Sequence, residues 1–158
     1  MNESANNPED SELRLERLLD DTRQRVFEAW TDPDQLEIWC KPFDFTISHQ
    51  EGDIIEGGSY RCCLQSSDGR DHWLSGVYRE IIPNEKIVFT HQWDDMGGVK
   101  GAETLITVTF EEHEGQTKMT FRQEGFFSEE SLEAHKGGWS EAFENLEEHL
   151  FTEAFGII

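Results

Sequence analysis

The chain has 158 residues, with 34 acidic against 13 basic side chains, for a net charge of −21. Such an acidic balance argues against a nucleic-acid backbone or an anionic membrane surface as partner, because both require a basic patch. No apolar run approaches the roughly 20 residues of a membrane span, and with 35% hydrophobic residues the eleven Phe and five Trp must fill much of one core.

Residues 1–11 read as a disordered leader with almost nothing to bury, and residues 12–158 as one domain. The leader has no apolar h-region. The chain's three cysteines, Cys40, Cys62 and Cys63, form no CxxC pair, which with the leader predicts a reducing, cytoplasmic setting. Leu13, Leu15 and Leu19 alternate with polar neighbours and predict a strand over 12–19, with Arg17 on the leucine face. Thr22 to Trp30 reads as a short amphipathic helix carrying Val26, Phe27 and Trp30. Asp32 as cap and Pro33 at the first position open a second short helix, with Leu36 and Trp39, that ends before Pro42.

The period then drops to two. Phe43, Phe45 and Ile47 predict a strand, and Tyr60, Cys62 and Leu64 another, opened by Gly57-Gly58. Ser67-Asp68-Gly69 is a hairpin signal. Trp73–Ile82, closed by Pro83-Asn84, and Lys86–Trp93 follow as strands. DDMGGVKG, residues 94–101, reads as a glycine-rich loop between strands rather than a phosphate cradle. Thr104, Ile106, Val108 and Phe110 predict a strand, and after Glu114-Gly115 the next carries Thr117, Met119, Phe121 and Gln123. Closely spaced turns predict an antiparallel meander. Ser128 caps a last helix to about Glu153, roughly 35 to 40 Å long, with Trp139, Ala142, Phe143, Leu146 and Leu150 on one stripe. Gly137-Gly138 weakens it locally, by about 1 kcal/mol per glycine.

This order predicts an α+β fold: a curved antiparallel sheet wrapped around a long C-terminal helix, with two short helices after the first strand. Such a sheet leaves room for a cavity beneath the helix, where ligands are commonly held. Five segments carry a family resemblance: LRLERLLDDTRQRVFEAWTDPDQLEIW, GGSYRC, GVYREIIPNEKIVFTHQW, TLITVTFEEHEGQTKMTF and GGWSEAFENLEEHL. In that order, over about Leu13 to Phe151, the chain resembles the START-like (SRPBCC, helix-grip) superfamily. Within it the chain is similar to the branch named after the C-terminal domain of the heat-shock protein 90 ATPase activator. Asp21-Thr22 stands where the family often has Ala-Pro, and Thr22 still serves as a cap. The resemblance implies binding of a hydrophobic or amphipathic small molecule. It also brings in two alternatives: a co-chaperone partnership in a stress response, and a hydrolase or cyclase activity as found elsewhere in the superfamily.

The residues themselves show no GxSxG, HExxH, P-loop or GxGxxG pattern, so no catalytic residue is assigned. The six histidines are scattered, with His135 and His149 too far apart to share a metal, and neither a metal nor a cofactor is expected. The expected cavity residues are Arg17, Trp39, Tyr60, Cys62, Tyr78, Glu80, His91, Trp93, Gln123, Trp139 and Phe143. Of these, Arg17 also corresponds to a position usually Arg in the family. It is expected to be buried and paired with Glu80, either tying strand ends or anchoring an anion. Glu80 with His91 is the best acid–base pair on offer. His91 and Trp93 are read on the Ile87–Phe89 face, although apolar Val88 leaves that register open. The DDMGGVKG loop and the Gly137-Gly138 break are candidate gates. The chain is expected to act as a monomer or a homodimer.

Overall fold

The computed structural model describes residues 12–94 and 101–156. The leader and most of the DDMGGVKG loop lie outside the described residues, so the gate expected in that loop does too. Seven antiparallel strands form one sheet: β1 (Leu13–Leu19), β2 (Phe45–Gly52), β3 (Ser59–Ser66), β4 (Asp71–Ile82), β5 (Lys86–Trp93), β6 (Thr104–His113) and β7 (Gln116–Glu124). Their order across the sheet is β1-β7-β6-β5-β4-β3-β2. Two short helices, α1 (Arg23–Thr31) and α2 (Pro33–Trp39), follow β1, and α3 (Glu129–Ala154) closes the chain.

The local chemistry explains these boundaries. Thr22 is extended and its Oγ1 accepts from the Arg25 amide at 3.3 Å, which starts α1. Asp32 ends α1 and caps α2, its carboxylate accepting from the Asp34 amide at 3.0 Å, with Pro33 fitting the first helical position. Ser128 caps α3 through the Ser131 amide. That helix runs unbroken through Gly137-Gly138 for 26 residues, roughly 39 Å. Side chains on its other turns outweigh the glycines' backbone entropy.

The concave face of the sheet is apolar and the helices cover it unevenly. Leu13, Leu15 and Leu19 of β1, Ile106, Val108 and Phe110 of β6, and Met119 and Phe121 of β7 meet Val26 and Trp30 of α1 and Phe143, Leu146 and Leu150 of α3. That half is solid. Over β2, β3 and β4 the helices stand off, and a space remains.

Two register shifts decide which side chains enter that space. Tyr78 pairs with Phe89, but Glu80 pairs with Val88, so β4 has one residue more than β5 across this step. Such a bulge moves the next side chain to the opposite face. Tyr78 therefore faces inward, while Glu80 turns outward and pairs with Lys86 at 3.0 Å. The expected Arg17–Glu80 and Glu80–His91 pairs do not form. The second shift lies between Ile47 and His49 in β2, which is also a sheet edge. A bulged edge is a poor template for strand addition.

Candidate ligand-binding site

The space beneath α3 is a cavity of about 460 Å³. Its floor comes from alternate residues of β2 to β5, all on the concave face: Ile47, Tyr60, Cys62, Tyr78, Phe89, His91 and Trp93 among them. Its roof is the stripe His135, Gly138, Trp139 and Ala142 of α3, at helical spacings of three, one and three. Trp30 closes the inner end, where the cavity meets the solid core.

Six of the side chains expected there line the cavity: Tyr60, Cys62, Tyr78, His91, Trp93 and Trp139. The structure places the other five elsewhere. Trp39 and Phe143 are completely buried in the core, with the Trp39 indole donating to the Ala29 carbonyl at 2.9 Å. Arg17 is half-buried on β1; its guanidinium donates to the Glu16 carbonyl at 2.8 Å and lies 5.7 Å from the Phe143 ring centre. Glu80 is on the outer face, for the reason given above.

Gln123 is wholly buried behind the roof rather than facing the cavity. Its amide joins three elements. The Trp139 indole donates to Gln123 Oε1 at 3.0 Å, Gln123 Nε2 donates to Thr104 Oγ1 at 2.8 Å, and Thr104 donates to the His91 carbonyl at 2.9 Å. Gln123 thereby fixes how Trp139 is presented, and both ends of its amide are satisfied.

Among the cavity-lining residues that sequence reasoning missed is His135. Its Nδ1 donates to the Ser131 carbonyl at 2.8 Å, and its Nε2 accepts from the Trp93 indole at 3.0 Å. Both contacts define one neutral tautomer. They also bolt the first half of α3 to β5 across the cavity. The signal was the spacing of His135, Trp139 and Ala142 along one helix face.

The electrostatics of the interior are uniform. His91 is 5% exposed, and burial, with a smaller effect of the nearby His135 ring, pulls its pKa from 6.5 down to about 3. His135 is lowered as well, chiefly by burial. Burial, reinforced by Cys63, pushes the Cys62 thiol up to about 12. Burial also raises the Cys40 thiol and the Tyr60 and Tyr78 phenols above their ordinary ranges. These are inert thiols and neutral hydrogen-bonding groups. Among the described residues, no group of three His, Cys, Asp or Glu side chains is placed to hold a metal ion.

Stability should therefore follow His91. Below the ordinary histidine pKa the unfolded chain binds a proton that the folded chain refuses. The contribution is complete above pH 6.5 and is lost as pH falls toward about 3. His91→Leu is expected to lose less stability than the parent over that window in thermal melts. Identical slopes would mean that His91 charges freely in the folded protein.

A family model described as Activator of Hsp90 ATPase homolog 1-like protein matches residues 20–150. No curated protein matches the chain. Among solved structures the chain is similar to protein CV1439 from Chromobacterium violaceum, at 27% identity and a TM-score of 0.78 over 87% of this chain and 95% of that one. It is similar to the AHSA1 protein from Silicibacter pomeroyi at 22% identity and a TM-score of 0.81, over 90% and 99% of the two chains. A putative protein of the dynemicin biosynthetic locus shares the fold at 18% identity and a TM-score of 0.72, over 90% of this chain and 48% of that one.

Proposed function

The chain belongs to the Activator of Hsp90 ATPase homolog 1-like family, and from that premise we propose that it binds a hydrophobic or amphipathic small molecule between the sheet and α3. The helix-grip fold commonly takes such ligands. No helix among the described residues is long and apolar enough to cross a membrane.

The observation that carries the reading is the aromatic-walled cavity of about 460 Å³ left open beside a solid core. Its volume falls in the range of small-molecule sites, which are typically about 300–1,000 Å³. Burying an apolar ligand there supplies affinity at about 25 cal/mol per Å² removed from water. The cavity thiols and phenols are kept protonated, which suits holding a molecule more than attacking it. One single-domain reading of residues 12–158 accommodates all of this.

Native mass spectrometry of gently purified protein tests the proposal. The expected result is a stoichiometric adduct that denaturation releases and that extraction identifies. A bare mass, together with no saturable uptake of apolar probes, would overturn it. The chaperone partnership implied by the family name would then take its place, and an ATPase stimulation assay would test that reading.

A further inference from the structure

Two polar side chains in the cavity are buried and have no hydrogen-bond partner on another described residue. The Tyr78 side chain belongs to a residue only 7% exposed, and its hydroxyl, unlike that of Tyr60, reaches no carbonyl. The Tyr60 hydroxyl donates to the Thr90 carbonyl at 2.7 Å. The His91 imidazole belongs to a residue 5% exposed; it contacts its own main chain, and neither nitrogen has a partner on another described residue, unlike those of His135. Both side chains line the cavity, and no buried side-chain polar atom among the described residues is sealed off without a partner. The two groups therefore open onto the cavity. Tyr78 pairs with Phe89, and His91 lies two residues further along β5. That diagonal separates Cα atoms by about 7–8 Å, within joint reach of one ligand.

We infer that the cavity selects an uncharged, ring-bearing molecule whose carbonyl or hydroxyl oxygen is held by the Tyr78 hydroxyl and the His91 imidazole. This rests on the binding reading above and names its ligand class. Polar groups so placed fix orientation, because leaving them unpaired beside an apolar ligand forfeits hydrogen bonds each makes to water. The ring requirement comes from the walls: Trp30, Phe89, Trp93 and Trp139 present faces and edges that stack on flat ligands.

The exclusion of charge comes from the cations. Apart from its three histidines, the cavity is touched by three charged side chains, Arg61, Lys41 and Glu51, and none of them is buried. Arg61 is exposed, pairs with Asp94 at 2.9 Å and covers the Trp73 ring at 4.0 Å. Lys41 donates to the Glu37 carbonyl at 3.0 Å. Glu51 is exposed and would repel an anion. Inside, Arg17 does not line the space, burial keeps His91 neutral, His135 accepts the Trp93 indole, and His72 lies against the Ser66 hydroxyl at 3.4 Å, so no lysine or arginine is left there for a carboxylate. A fatty-acid anion thus meets a wall of apolar rings and neutral donors.

Calorimetric titration of the whole chain with 2-acetylnaphthalene and 2-naphthoate tests this, because the two are nearly the same shape and differ in charge. Near neutral pH the ketone is expected to bind at least about tenfold more tightly than the carboxylate. Tyr78→Phe removes one oxygen and should weaken the ketone by about five- to tenfold while leaving the melting temperature in place. His91→Leu should weaken it similarly, and His91→Gln, which can still hydrogen-bond, should recover part of the loss. Equal affinities for ketone and carboxylate would overturn the inference and leave the binding reading standing. So would unchanged ketone affinity in both Tyr78→Phe and His91→Leu. Failure of both probes to bind, with a bare native mass, would overturn both.

Discussion

Trp30→Ala is expected to destabilise the fold by about 3–5 kcal/mol and to enlarge the cavity at the same time. The indole is 3% exposed and stands on the wall between core and cavity. Its ring lies 4.8 Å from Trp39, 6.2 Å from Trp139 and 6.2 Å from Phe143, centre to centre. Its Nε1 points at the Met119 sulfur, 3.4 Å away. Few neighbours can collapse into the space it leaves, since Trp39 and Phe143 are themselves completely buried. The void would run into the existing cavity instead of closing. Chemical denaturation with an unchanged slope and a lowered midpoint is the expected record. A loss below about 1 kcal/mol would show that the wall repacks, against the ordinary cost of deleting a buried aromatic ring.

Gly76→Ala is the second large effect, and here the cause is overcrowding. A Cβ at Gly76 would lie 2.0 Å from the Thr90 carbonyl oxygen and 2.5 Å from the Tyr60 ring. Main-chain oxygen cannot retreat cheaply. Thr90 is unusual in this stretch: its Oγ1 accepts the Val77 amide at 2.8 Å, and its carbonyl takes the Tyr60 hydroxyl. The phenol lies across the bare glycine to make that contact. Adding a methyl must displace Tyr60, break its hydrogen bond and distort the β4–β5 ladder. About 1–3 kcal/mol for overpacking adds to about 1 kcal/mol for the lost hydrogen bond. Equilibrium unfolding checks the sum. A neutral substitution would mean that the two strands can separate at Thr90 without penalty.

Much of the fold was legible because its signals were local and repeated. Thr104, Ile106, Val108 and Phe110 alternate so regularly that only one face can be buried, and the observed strand obeys them. Thr22, Asp32 and Ser128 announced their helices by capping chemistry that the structure retains. The site was less legible, for reasons that are not local. Glu80 and Tyr78 have the same parity in the sequence, and only the bulge between them sends one outward. Nothing in the residues themselves marks that extra step. Gln123 has the right face but is consumed by Trp139 and Thr104, partners sixteen and nineteen positions away. Trp39 and Phe143 are fully enclosed whereas Trp93 and Trp139 are only half-buried, a difference in three-dimensional cover that periodicity does not report. The open question about β5 was settled by the sheet: Ile87, Phe89, His91 and Trp93 share the cavity face, and Val88 lies on the other.

The placement of the five tryptophans has a practical consequence. Trp30, Trp93 and Trp139 touch the cavity, whereas Trp39 lies in the core and Trp73 is stacked beneath Arg61 on the outer face. Three indole emitters thus surround the cavity, and two stand apart from it as internal references. Filling the cavity changes the surroundings of the first three and leaves the other two nearly as they were. The protein's own ultraviolet emission would therefore serve as a label-free gauge of the proposed occupancy, and tryptophan-to-phenylalanine exchange at Trp93 or Trp139 would show which wall a guest touches.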